Sequence, residues 1–203
     1  MQVILIVLST LFAVISPITY AVSIMHGKTK PHRTTRFVLA FVMLMNFLSI
    51  FVAHGDLATL VLAGIFAAHG IVIAGFSIRR GMGGSDAFDW ICLAIALCGI
   101  LGWRLSGNPI VGVWFSILAD AAAYAPAVLK TWRYPHTESH WLYTTSLIAT
   151  ALSLAASSFG PTVAFQVYII LCDLTLIFCI YHKQLFALDS NRELVDDIEE
   201  NSA

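Results

Sequence analysis

Charge is what this sequence has least of: Asp, Glu, Lys and Arg make up 11% of its 203 residues, against about a quarter in a typical soluble domain. With hydrophobic residues at 59% and a mean hydropathy of +0.83, that shortage points to lipid as the solvent. No Lys or Arg precedes Lys28, and the first apolar run, over 3–24, is too long for the apolar region of a secretory signal, so the N-terminus reads as a first spanning helix. The short loops leave no basic face, which argues against a nucleic-acid partner. His-Glu-x-x-His, Gly-x-Ser-x-Gly and Cys-x-x-Cys are all missing, so neither an enzyme nor a bound cofactor or metal is expected. Cys92, Cys98, Cys172 and Cys179 fall inside apolar stretches and behave there as small hydrophobes. The last apolar run has no interior lysine, Lys183 standing at its end, which removes the basis for a retinal Schiff base.

What is abundant is apolar sequence in blocks of spanning length. A transmembrane helix needs about 20 such residues, and seven stretches approach or meet that: 2–25, 36–54, 57–78, 87–104, 108–129, 139–158 and 161–182. Turn chemistry separates them, as in His54-Gly55-Asp56, Ser106-Gly107-Asn108-Pro109 and Phe159-Gly160-Pro161. Lys28, Lys30, Arg33, Arg36, Arg79, Arg80, Lys130, Arg133, Lys183 and Arg192 fall on one side of the resulting topology and Arg104 alone on the other. The positive-inside rule then sets the N-terminus outside and the C-terminus in the cytoplasm of a multi-pass protein, expected in the plasma (inner) membrane. Trp90, Trp103, Trp132 and Trp141 stand near span ends as interfacial belt residues. The segment 184–203 carries six of the twelve acids and reads as a solvated, weakly helical tail.

The chain also resembles itself. A shift of 104 residues sets Tyr20-Ala21 on Tyr124-Ala125, Pro31-His32 on Pro135-His136, Leu48-Ser49 on Leu152-Ser153 and Arg79 on Lys183, without a gap. The reading is an all-α membrane domain over 1–183: repeat one at 1–80, a linker helix at 87–104, and repeat two at 108–183. An odd linker helix gives both repeats the same orientation, one of the arrangements found in transporters. On this layout, the outside N-terminus and the prolines Pro17 and Pro126, the chain resembles the SWEET sugar-facilitator and PQ-loop superfamily. The family's Pro-Gln dipeptide is replaced here by Pro17-Ile18 and Pro126-Ala127.

Ionisable groups deep in a membrane helix usually face the bundle interior and mark a pathway. The deep ones are His69, Asp120 and Asp173, and the shift of 104 sets His69 on Asp173 and Ser16 on Asp120. Tyr20 with Tyr124, and Asn46 with Thr150, complete a pseudo-symmetric polar set; Trp114 is a candidate ring for stacking on a ligand. The resemblance implies that His69 and Asp173 occupy the places where such carriers use asparagines to hold the solute. A His–Asp pair adds the means to take a charged solute or move a proton, making Asp120, Asp173 and His69 the proton-coupling candidates. Pro17 and Pro126 are the hinge candidates. A structural bridge between His69 and Asp173, and packing roles for the Ser and Thr of the sixth helix, are the plainer alternatives.

The expected function is therefore a carrier of a small polar solute, sugar-like or zwitterionic, working by alternating access with or without proton coupling. The alternative from another class is a ligand-binding or receptor-type membrane protein on the same scaffold, without flux. The partners expected are the solute and membrane lipids, and a homo-oligomer is compatible with either reading.

Overall fold

The computed structural model describes residues 1–26, 33–80, 87–133, 135 and 140–201, and these form an all-helical fold. Its helices are α1 (Gln2–Met25), α2 (Arg33–Val52), α3 (Leu57–Arg80), α4 (Ala87–Ser106), α5 (Pro109–Arg133), α6 (His140–Ala156) and α7 (Val163–Asn201).

Local chemistry sets several of the ends. Asp56 caps α3: its Oδ1 accepts the Thr59 N–H at 3.1 Å and its Oδ2 the Thr59 hydroxyl at 2.6 Å, satisfying groups that a helix start leaves open. α4 stops at Gly107, whose φ of 66° lets its N–H reach the Trp103 carbonyl at 2.8 Å, the αL termination that glycine makes easy. Asn108 then accepts the Ile110 N–H at 3.0 Å, and Pro109, with no N–H to satisfy, opens α5.

The helix bounds follow the sequence expectation closely, with two differences. α7 does not stop at 182 but continues as helix through Asn201, so the acidic segment extends the last helix. By length and apolar composition, three helices among the described residues, rather than seven, are sufficient on their own to cross a membrane: Gln2–Val22, Leu57–Arg80 and Val163–His182. Arg36–Val52, Leu93–Ser106 and Pro109–Ala125 are shorter apolar helices. α6, of 17 residues, is diluted by the hydroxyls of Ser146, Thr150 and Ser153.

α1 packs on α6 and α3, α2 on α3 and α5, α6 on α7, α5 on α7, and α4 on α5 and α2. The α1–α6 seam is antiparallel and has a heptad register. Gln2 donates to the Ala156 carbonyl at 2.9 Å, Ser9 to Ala149 at 2.8 Å and Ser16 to Leu142 at 3.3 Å. Polar side chains seven residues apart thus meet carbonyls seven residues apart, two turns at a time. Elsewhere small residues allow close approach: a Cβ on Gly70 would lie 3.1 Å from the Ala40 Cα, and one on Gly99 2.5 Å from the Phe115 Cβ. The apolar core between these seams includes Ile50, Leu62, Ala63, Phe66, Val113, Ala149, Phe165 and Ile169.

The starts of α5, α6 and α7 follow those of α1, α2 and α3 by 107, 107 and 106 residues, a few more than the shift of 104 read from the sequence. α1 and α3 end together, where Arg80 donates to the Met25 carbonyl; with Arg36 and Arg133 these ends make the basic end of the bundle. At the opposite end the start of α3 meets the end of α6, through the Thr59 and Ser157 hydroxyls at 3.2 Å.

Candidate functional site

Between mid-height and the basic end lies a cavity of ≈ 170 Å³. Its polar lining comes from six helices: Ser16 on α1, Arg36 on α2, His69 on α3, Asp120 and Tyr124 on α5, Tyr143 and Ser146 on α6, Cys172 and Asp173 on α7. Apolar side chains, among them Leu39, Met43, Phe66, Ile73, Leu142 and Ile169, form the rest of the wall. Four of the sequence candidates, His69, Asp120, Tyr124 and Asp173, therefore share one space.

The two carboxylates differ in how far the protein satisfies them. Asp120 is buried, and its Oδ2 accepts the Tyr168 hydroxyl at 2.6 Å. Asp173 is 4% exposed, and its Oδ2 has no hydrogen-bond partner among the described residues. A buried oxygen left without a donor is costly. Arg36 donates from Nη2 to the Tyr20 hydroxyl, and its guanidinium lies over the Tyr20 ring, 4.8 Å from the centroid. Stacking and bonding to one side chain hold the guanidinium in place.

The remaining candidates fall elsewhere. Tyr20 is not in the cavity wall but behind it, through Arg36. Asn46 accepts the Ser116 hydroxyl at 3.0 Å and borders, with Asp120, a void of ≈ 10 Å³, space for one water at most. Thr150 is fully buried and returns its hydroxyl to the Ser146 carbonyl at 2.9 Å, so it packs α6 and does not face a ligand. Trp114 is 52% exposed on the outer surface of α5, which removes it as a stacking ring in this cavity. Pro17 lies inside α1, which runs unbroken past it; Pro126 lies on α5, and its side chain is outside the described residues.

Two contributors were not singled out from the sequence. Arg36 counted there only as a loop base setting orientation, although its spacing of i, i+3, i+7 with Leu39 and Met43 places all three on one helix face. Tyr168, the donor to Asp120, has no local signal, because the pairing is made across α5 and α7.

The opposite end of the bundle is closed by a polar cluster. Gln166, fully buried on α7, donates to the Ser153 hydroxyl of α6 at 2.7 Å and, just past the end of α6, to the Ser157 hydroxyl at 2.8 Å. Ser153 donates to the Ala58 carbonyl at 2.9 Å, and Ser157 reaches Thr59, itself bonded to Asp56. The seventh helix thus sets two polar groups on different tasks: Asp173 faces the cavity and Gln166 ties the far end shut. No family model matches the chain, and no curated protein or solved structure matches it.

Proposed function

We propose that this chain is a membrane-embedded carrier of a small polar solute, working by alternating access around the cavity at Asp173, His69, Asp120 and Arg36. On this reading all seven helices cross the membrane, with the N-terminus outside and the basic end in the cytoplasm. The observation that carries it is the asymmetry along the bundle axis. A cavity rich in ionisable groups lies toward one end, and hydrogen-bonded side chains of α3, α6 and α7 pack the other, which is the form of an inward-facing carrier.

Helix packing adds support for two like-oriented repeats on a SWEET-like scaffold. If α1–α3 correspond to α5–α7, the contact of α1 with α6 must recur as α5 with α2. Likewise α2 with α3 must recur as α6 with α7, and α1 with α3 as α5 with α7. Each of these pairs is packed. The residues matched by the shift of 104, His69 with Asp173 and Ser16 with Asp120, all border the cavity. Shorter helices such as α6 then cross within a bundle whose neighbours cover their polar faces, so their own hydropathy underreports their place in the membrane.

Uptake into proteoliposomes tests the reading. Purified protein catalyses saturable entry of a small polar solute, and Asp173→Asn, which inserts and folds normally, lowers it roughly 10- to 100-fold, the effect of removing a charged hydrogen-bond partner. Saturable binding without solute movement would replace the carrier with a receptor-type protein.

A further inference from the structure

The lining of the cavity is more selective than a generic polar pocket. Among the described residues that line it are one guanidinium, Arg36, and two carboxylates: Asp120, whose Oδ2 accepts from Tyr168, and Asp173, whose buried Oδ2 has no hydrogen-bond partner. Arg36 has five N–H donors to offer and directs a side-chain hydrogen bond to Tyr20. Beside these charged groups stand His69 and the hydroxyls of Ser16, Tyr124, Tyr143 and Ser146, and the apolar part of the wall is Leu, Met, Phe and Ile.

Each simple ligand class leaves something unmatched here except one. A sugar brings about twelve heavy atoms, twice the number in the benzene that a cavity of about 150 Å³ takes, and is too large for the ≈ 170 Å³ here. A lone cation leaves the spare N–H donors of Arg36 unmatched, and a lone anion leaves the unbonded Asp173 oxygen without a donor; buried hydrogen-bonding groups left without partners are costly. A zwitterion answers both. Volume agrees: a cavity of about 150 Å³ takes benzene, six heavy atoms, and the ≈ 170 Å³ here takes the five heavy atoms of an amino-acid backbone and a short side chain.

We infer that the solute is a small α-amino acid, its carboxylate held by Arg36, its ammonium by Asp173 and its apolar side chain against the Leu39, Met43 and Phe66 wall. The inference rests on the carrier reading for the cavity's role in transport, but its binding chemistry stands separately. Tyr20 is a positioning residue for the guanidinium.

Calorimetric titration of the purified, detergent-solubilised protein with L-alanine, ethylamine, propionate and glucose tests it. L-Alanine binds, and the two single-charge analogues bind at least tenfold more weakly, each lacking one charged contact. Arg36→Gln weakens L-alanine roughly 10- to 100-fold and leaves ethylamine unchanged; Asp173→Asn weakens L-alanine similarly and leaves propionate unchanged. A merely structural role for either residue would move all ligands together, and Arg36→Lys, which keeps the charge, restores part of the loss. Equal binding of glucose or of either analogue by the wild type, or no binding of L-alanine by folded protein, overturns the inference. Glucose flux in proteoliposomes without L-alanine binding would remove the amino-acid assignment and keep the carrier. L-Alanine binding without flux of any solute would keep the site and remove the carrier.

Discussion

Gln166→Leu isolates the hydrogen bonds that close the end of the bundle opposite the cavity. The replacement nearly conserves volume and removes the two bonds from Nε2 to Ser153 and Ser157, at 2.7 and 2.8 Å, with the longer 3.2 Å contact of the Ser157 hydroxyl to Oε1. Both hydroxyls keep their own acceptors, Ser153 at the Ala58 carbonyl and Ser157 at the Ser153 carbonyl, so no donor is orphaned. Interhelical bonds of this kind in membranes contribute about 0.6 kcal/mol each, which makes the pair worth about 1.2 kcal/mol. If the bonds exist only in the closed form, their removal raises the population open at this end by about eightfold. The reporter is Ala58→Cys, buried at the α3–α6 contact, in a background with the native cysteines replaced by alanine. Labelling by a membrane-impermeant maleimide should quicken about eightfold in the Gln166→Leu background, with a small fall in thermal stability. A lowered melting temperature with an unchanged labelling rate would show that the cluster only packs the helices, and would refute its role as a gate.

Gly99→Ala builds a methyl 2.5 Å from the Phe115 Cβ and 2.8 Å from the Met45 Cε, an overpacking that costs about 1–3 kcal/mol and lowers the melting temperature in detergent. Gly75→Ala meets nothing within 4 Å and should leave stability unchanged or raise it by about 0.5–1 kcal/mol, the helix-interior preference for alanine. Ser9→Ala removes one rung of the α1–α6 register, the 2.8 Å bond to Ala149, and costs about 0.6 kcal/mol in the same unfolding assay. Trp114→Ala, on the outer surface of α5, leaves solute affinity in calorimetric titration within twofold of the wild type.

The helix bounds were legible because their signals are local. Asp56, Gly107, Asn108 and Pro109 each act on backbone groups within a few residues, whatever the rest of the chain does. His69, Asp120 and Asp173 were legible because charge is expensive in an apolar helix, so the rare exceptions stand out. Trp114 differs from the expectation because the direction of its ring, not its depth, decides what it meets. Six residues before Asp120, it points about 120° away around the helix, on a face shared with Leu118 and Ala121, all three exposed. Thr150 was chosen by symmetry with Asn46, but its hydroxyl is absorbed by a backbone carbonyl one turn earlier, a competition that spacing does not reveal. Arg36 was hidden by a correct argument about orientation, since a residue that sets topology at a span end can also turn inward from the first turn. The contacts of Tyr168 with Asp120, and of Gln166 with Ser153 and Ser157, depend on how helices are brought together, which no periodicity within one helix contains.

Cys172, in the cavity wall beside Asp173, is a native reporter for alternating access. With Cys92, Cys98 and Cys179 replaced by alanine, a membrane-impermeant maleimide is applied to vesicles of each orientation, with and without a solute gradient. Labelling is expected from the side of the basic end at rest, and from both sides while solute is exchanged, with solute protecting the thiol in each case. Labelling from one side alone, unchanged by any solute under conditions of measured uptake, would contradict a site that turns from one face of the membrane to the other.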